Sequence, residues 1–133
     1  MASRSNERVC MSYNMHGFNQ GFDLVKYWCD IKSFDVLLVQ EHWLSPAMLY
    51  RFNDIIGSDY FCYAFSSMAL TCSADVLRGR PFGGLAIIVK IQYLKVCKCV
   101  FNSDRLVAIL IESALIANVY FPCFSKSDHK EVT

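Results

Sequence analysis

Residues 34–39 are apolar at every position except Asp35, and the run ends abruptly in Gln40-Glu41-His42-Trp43. A strand with one wet face alternates apolar and polar side chains, whereas an unbroken apolar run must be covered from both sides. Val36-Leu37-Leu38-Val39 therefore asks for a layered fold with this strand inside a central sheet. Flanking patterns agree. Residues 9–13 are a short β-prone run that stops at Asn14, with His16-Gly17 as a turn. A helical pattern begins at Asn19, where Leu24, Trp28 and Ile31 fall at i, i+4 and i+7 beside Val25. Ser45-Pro46 is a helix start, with Met48, Phe52 and Ile55 as the apolar stripe, Leu49 and Ile56 flanking it and Gly57 as the stop. Residues 60–65 read as a strand and 66–82 as a long irregular loop closed by Gly83-Gly84. Strands are expected at 85–90, 93–101, 105–112 and 115–121, the last two joined by a tight turn near Ser113. The order predicts an α/β (α+β layered) sandwich, a mixed β-sheet core flanked by helices. Its expected divisions are a flexible start over 1–7, a domain over 8–123 and a polar tail over 124–133.

Composition narrows the function classes. With 54% hydrophobic and 19% charged residues the chain has the means to build a core and is not a disordered segment. A mean hydropathy of +0.27 implies either strands buried on both faces or apolar surface left uncovered. The net charge of +1 gives no general attraction to nucleic acid, so any such contact rests on where individual Arg and Lys residues stand. No apolar run approaches the ~20 residues of a membrane span, and residues 1–7 are polar, without the apolar stretch of a secretion signal. An intracellular site, nuclear or cytoplasmic, is expected. Seven cysteines, an odd number without paired C-x-x-C motifs, read as reduced small hydrophobes with no disulfide-linked partner.

Asn14, Glu41 and Tyr120 share one feature: each stands at or just past the C-terminal end of an expected strand. Polar groups at such ends converge on one rim of a sheet, where layered α/β proteins place their ligands. Local chemistry leaves two roles open for Glu41, a helix-start or surface carboxylate and a metal ligand.

Four stretches then carry a family resemblance. Ser12-Tyr13-Asn14-Met15-His16-Gly17 resembles the first motif of the endonuclease/exonuclease/phosphatase superfamily, a strand ending in Asn before a turn with Gly. Asp35-Val36-Leu37-Leu38-Val39-Gln40-Glu41-His42-Trp43-Leu44 resembles its second, in which a buried strand delivers Gln-Glu. Gly83-Gly84-Leu85-Ala86-Ile87-Ile88-Val89 is similar to its glycine-led strand, and Asn118-Val119-Tyr120-Phe121-Pro122 to its Asn-x-Tyr-x-Pro motif. The wording is nearest to the apurinic/apyrimidinic-like endonucleases encoded by non-LTR retrotransposons, and the likeness spans residues 8–123.

The resemblance implies a metal-dependent phosphodiester hydrolase, an endonuclease that nicks DNA with Mg2+, or Mn2+ in its place, and whose partner is the DNA phosphodiester backbone. It makes Glu41 the main metal ligand, helped by Asn14, whose amide orients the phosphate or a metal-bound water. By the same likeness Tyr120 completes the catalytic set, hydrogen-bonding the phosphate or the attacking water. The family also carries an Asp-x-Asn motif beyond the tyrosine and a terminal Asp-His pair. Ser127-Asp128-His129 spells the latter but directly follows the Tyr-Phe-Pro strand, where the family inserts further strands and helices, so it reads as a coincidental surface segment. The expectation is an incomplete four-layer nuclease fold, the N-terminal part without its C-terminal half, inactive by itself. Such a piece would expose an apolar sheet face and an open edge and be poorly soluble.

Arg78 and Arg80 in the long loop, and His16 in the first turn, are weaker candidates for nucleic-acid contact; a solvated loop is their ordinary alternative. His42 reads as a rim or packing residue, Arg105 as the start of a strand, and Trp28 and Trp43 as core. Competing functions are a non-catalytic remnant that binds nucleic acid or a partner, a phosphoinositide- or sphingomyelin-type phosphodiesterase of the same fold, and a plain interaction module.

Overall fold

The computed structural model describes residues 7–67 and 83–121. Four strands, β1 (Cys10–Asn14), β2 (Val36–Gln40), β3 (Tyr60–Phe65) and β4 (Leu85–Lys90), form a mixed sheet in the order β1-β2-β4-β3. β2 runs parallel to β1 and antiparallel to β4, which is antiparallel to β3. Helix α1 (Phe18–Asp30) links the parallel pair, and the short helix α2 (Arg51–Ile56) precedes β3. A second sheet is an antiparallel meander of β5 (Cys97–Asn102), β6 (Leu106–Ile111) and β7 (Ala114–Val119). The last turn is two residues long, with Glu112 in the left-handed region.

Side-chain alternation along β2 and β4 builds three layers. Leu37, Val39, Ala86 and Ile88 pack with Val25 and Cys29 of α1 and Phe52 and Ile55 of α2. Val36, Leu85, Ile87 and Val89 pack on the other face against Val107, Ile109 and Ile111 of β6. Leu85 to Val89 are buried without a break, and so are Val36 and Leu37, because each successive side chain enters a different core. The apolar run is thus explained by two coverings, helices on one side and a second sheet on the other. The layered α/β sandwich is as expected, its mixed sheet flanked by helices on one face and stacked on an antiparallel sheet on the other.

Three local expectations change. The buried face of α1 runs along Phe18, Gly21, Val25 and Cys29, with Trp28 half-buried, while Leu24 and Ile31 are exposed. Gly21 is the reason: a Cβ there would lie 2.9 Å from the Cβ of Met15, so the helix seats its glycine line against the start of its own loop. The segment opened by Ser45-Pro46 is a 3₁₀ turn at Pro46–Met48, and the α-helix starts only at Arg51; Gly57 ends it with φ +75° as expected. Residues 91–96 form a 3₁₀ segment and not the first half of a strand. Tyr93 is drawn inward there, its hydroxyl donating to Asp35 Oδ1 at 3.2 Å and its ring lying 5.0 Å under the Arg8 guanidinium.

The outer face of the second sheet carries Val100, Phe101, Leu115 and Val119 in exposed positions, Leu115 being 66% exposed, and β7 is an edge strand. Both sources that the mean hydropathy left open are therefore present, strands buried on two faces and apolar surface left uncovered.

Candidate active-site rim

The parallel pairing of β1 and β2 sends both strands out at the same edge. Asn14 lies opposite Gln40 in register, the Met15 amide donates to Gln40 O at 2.9 Å, and the Gly17 amide donates to Glu41 O at 2.8 Å. Asn14 and Glu41 are therefore neighbours across two strand ends. The Asn14 side chain accepts the His16 amide at 3.0 Å, a local turn bond that fixes its carboxamide above the sheet edge.

Glu41 stands in the left-handed region at φ +57°, held there by its own amide donating to Gly84 O at 2.8 Å. One carboxylate oxygen, Oε1, accepts the indole N–H of Trp43 at 2.8 Å. Trp43 in turn donates its amide to Gly83 O and lies so close over Gly17 that a Cβ on that glycine would be 2.5 Å from the ring. Gly17 is needed twice, for φ +95° and for the indole that covers it. Trp43 is thus a half-buried rim residue that orients Glu41, not the core residue its spacing suggested.

Between these two, His42 points inward and is fully buried. Its Nδ1 accepts the Leu44 amide at 3.0 Å, so its Nε2 carries the proton and donates to Phe65 O at 2.9 Å. Burial pushes its pKa down to about 4, against weaker opposing pulls from backbone hydrogen bonds to Phe65 and Leu85. His42 is a neutral packing residue with both nitrogens committed, and it is not placed for acid–base work at the rim.

Tyr120 follows β7, and its amide donates to Arg105 O at 2.9 Å. A Cβ on Gly83 would lie 4.0 Å from Tyr120 Cε2. The Gly83-Gly84 backbone thus takes the amides of Glu41 and Trp43 and has the Tyr120 ring edge beside it, while Asn14 lies across β2 on β1. Arg105 itself is exposed, in the turn before β6.

The residue that brings Tyr120 there is Asn118, which stood in the motif only as a companion to the tyrosine. Asn118 is 1% exposed. Its Nδ2 donates to Val39 O and to Ala86 O, both at 2.9 Å, and its Oδ1 accepts Gln40 Nε2 at 2.8 Å. One carboxamide thus ties β7 of the second sheet to β2 and β4 of the first. Gln40 also donates to Ser12 Oγ at 3.1 Å, extending the network to β1. The signal that could have found it is period two: Ile116, Asn118 and Tyr120 share a strand face, so an amide stands on an inward apolar face, where it must be hydrogen-bonded.

His16 is exposed beside Asn14, in the left-handed region at φ +52°. Arg78, Arg80 and the Ser127-Asp128-His129 segment lie outside the described residues. Among the described residues no group of three or more His, Cys, Asp or Glu side chains is arranged to hold a metal ion. The donor types nevertheless suit a hard cation: a half-buried carboxylate with one oxygen engaged by Trp43 and, at the neighbouring strand end, a carboxamide oxygen. All five described cysteines are free, and no helix among the described residues is long and apolar enough to cross a membrane.

No protein-family model matches the sequence. No curated protein sequence matches it significantly either. Solved structures do. An AP endonuclease from Archaeoglobus fulgidus superposes with a TM-score of 0.57 at 18% identity, over 83% of this chain and 40% of that one. The 3′ phosphatase NExo from Neisseria, bound to a product DNA hairpin, gives 0.60 at 14% identity over 86% and 41%. The AP endonuclease LMAP from Leishmania major gives 0.57 at 14% identity over 90% and 43%. The chain spans about two fifths of the length of each of these structures, and over that span its α/β layers have the fold of AP endonucleases.

Proposed function

We propose that this chain forms the metal-binding side of a divalent-cation-dependent DNA endonuclease of non-LTR retrotransposon origin, and that it does not cut DNA by itself. What supports this reading is that Asn14 and Glu41 leave neighbouring strands at one edge, with the Glu41 amide on Gly84 O and the Tyr120 ring beside Gly83. Support for DNA as substrate comes from the solved structures of similar fold, two AP endonucleases and a 3′ phosphatase holding a DNA hairpin.

Glu41, with Asn14 beside it, would hold Mg2+. Such a cation neutralises negative charge developing on a scissile phosphate and its leaving oxygen. Trp43 holds one carboxylate oxygen and so limits the rotamers of Glu41, leaving the other oxygen for the ion. Asn14 would orient the phosphate through its amide, and Tyr120 would hydrogen-bond it through the phenol. None of these groups is a general base. The buried His42 is tied at both nitrogens and the exposed His16 stands in the first turn beside Asn14, so inactivity of this chain alone rests on His42 being unavailable. Acid–base assistance is typically worth ~10²–10⁴-fold. An intracellular site of action, nuclear or cytoplasmic, belongs to the same proposal.

The test compares the chain with Glu41→Ala, reading Mg2+ binding by calorimetry and nicking of supercoiled plasmid. Expected are Mg2+ binding that Glu41→Ala abolishes and no nicking above background by either protein. Equal Mg2+ binding by both would remove Glu41 from the site. Magnesium-dependent nicking by the chain would overturn its inactivity. A longer product of the same reading frame that releases phosphate from lipid and leaves plasmid intact would overturn DNA as substrate.

A further inference from the structure

Beside the rim, on the helix side, lies a cavity of about 480 Å³ whose lining includes His16, Asn19, Gln20, Trp43, Met48 and Arg51. By sequence pattern Arg51 is an ordinary polar position on a short helix. The structure gives it a fixed place. Its Nη1 donates to Asn19 Oδ1 at 3.1 Å, and its guanidinium lies 4.6 Å over the ring of Phe18. Two contacts from α1 thus hold a cation that is only half-exposed, and among the described residues no carboxylate is within ion-pair distance of it. Arg8, Lys26, Lys32 and Lys90 are each matched by an acid, whereas Lys95, Lys98 and Arg105, like Arg51, form no ion pair among the described residues, and of these four only Arg51 lines this cavity.

A guanidinium offers five N–H donors in a fork that fits phosphate oxygens, and ring stacking leaves its edge free to donate. The same cavity takes His16, the amide side chains of Asn19 and Gln20, and an apolar wall from Trp43 and Met48. Among the described residues no acidic side chain lines it. Trp43 is shared: its indole N–H holds Glu41, and its ring forms the cavity wall. The cavity therefore adjoins the carboxylate without containing it.

We infer that this cavity is a phosphate-binding subsite in which Arg51, steadied by Asn19 and Phe18, takes a backbone phosphate of duplex DNA flanking the one at Glu41. The subsite rests on the reading of the rim as a DNA site, but it concerns binding and not cleavage. A phosphate group is the shared chemistry of two sources, free inorganic phosphate and the DNA backbone, and the two are separated by measurement.

Fluorescence anisotropy of a labelled DNA duplex is followed against salt, without divalent cations, for the whole chain and for Arg51→Ala, Arg51→Lys and Met48→Glu. Met48 is exposed at the cavity lip, so Met48→Glu brings in a negative charge without removing any contact of Arg51. Expected are a loss of affinity on the order of tenfold in Arg51→Ala and a salt dependence lower by about one phosphate contact. Met48→Glu should weaken binding in the same direction, and Arg51→Lys should retain part of it. Unchanged affinity and salt slope in both Arg51→Ala and Met48→Glu overturns the subsite. Arg51-dependent binding of inorganic phosphate, with duplex binding indifferent to Arg51, overturns DNA as the source. Arg51-dependent duplex binding supports the subsite, and if calorimetry of the same chain finds no Mg2+ bound, the metal site alone is overturned.

Discussion

Asn118→Ala should be among the most damaging single changes in this protein, although the residue is one small amide on an edge strand. Three hydrogen bonds involve its buried carboxamide, two to the carbonyls of Val39 and Ala86 and one from Gln40. A net hydrogen bond contributes ~1 kcal/mol, and each buried partner left without one costs more than that mean. Three together give about 3 kcal/mol, a large share of the ~5–15 kcal/mol that holds a domain folded. Asn118→Asp should be worse, because a carboxylate cannot donate and would face two carbonyl oxygens. Asn118→Leu fills the space without donating and should lose nearly as much as Asn118→Ala, which separates hydrogen bonding from cavity formation. Urea unfolding followed by tryptophan fluorescence reads the effect. With a slope of ~1.5 kcal/mol/M, a loss of about 3 kcal/mol lowers the midpoint by about 2 M. A midpoint shift below about 0.5 M for both Asn118→Ala and Asn118→Leu would refute the idea that this amide couples the two sheets. A cycle with Gln40→Ala sharpens the test, since a real bond between them gives a coupling of at least ~0.5 kcal/mol.

The same rim sets two further outcomes. Gly84→Ala would place a Cβ 2.3 Å from His42 Cε1 at φ +98°, whereas Gly57→Ala meets nothing within 4 Å and suffers only its φ of +75°. Thermal melts should rank Gly84→Ala as clearly the more destabilised, by several degrees, and equal melting would mean that the histidine ring moves aside freely. His42 gives stability a pH dependence, because its folded pKa of about 4 lies below the ordinary value of 6.5. The unfolded chain then binds the extra proton first, so this contribution is complete above pH 6.5 and is lost as pH falls toward 4, by on the order of 3 kcal/mol. Urea midpoints in magnesium-free buffer should decline over that window, with the His42 ring resonance unmoved at pH 5.5; a ring that titrates near 6.5 would contradict its burial.

Much of the architecture was legible because it depends on short stretches of chain. The double covering of β2 follows from four adjacent apolar residues, and the structure supplies both covers. The stop at Gly57 and the exit of Asn14 and Glu41 at one edge are likewise local, the first a matter of φ and the second of parallel strands ending together. The helix face was not legible. Residues at i, i+4 and i+7 define several stripes on α1 that differ by a small rotation, and the choice of Val25 and Cys29 over Leu24 and Ile31 was made by Gly21 meeting Met15. Nor did strand propensity reveal that Tyr93 leaves the sheet for Asp35, a partner 58 residues away.

The order of residues alone thus specifies the layered α/β class, most of the strand list and the polar residues that end β1 and follow β2. How those residues are used depends on the packed layers: His42 turned inward because Gly84 has no side chain to oppose it, Trp43 bound to the carboxylate, Asn118 joining two sheets and Arg51 brought beside His16. The difference is one of range. Hydrophobic periodicity and turn preferences act over a few residues and are written into each segment. Hydrogen-bond geometry, close packing and charge are settled between segments far apart in the chain, only after the layers have closed.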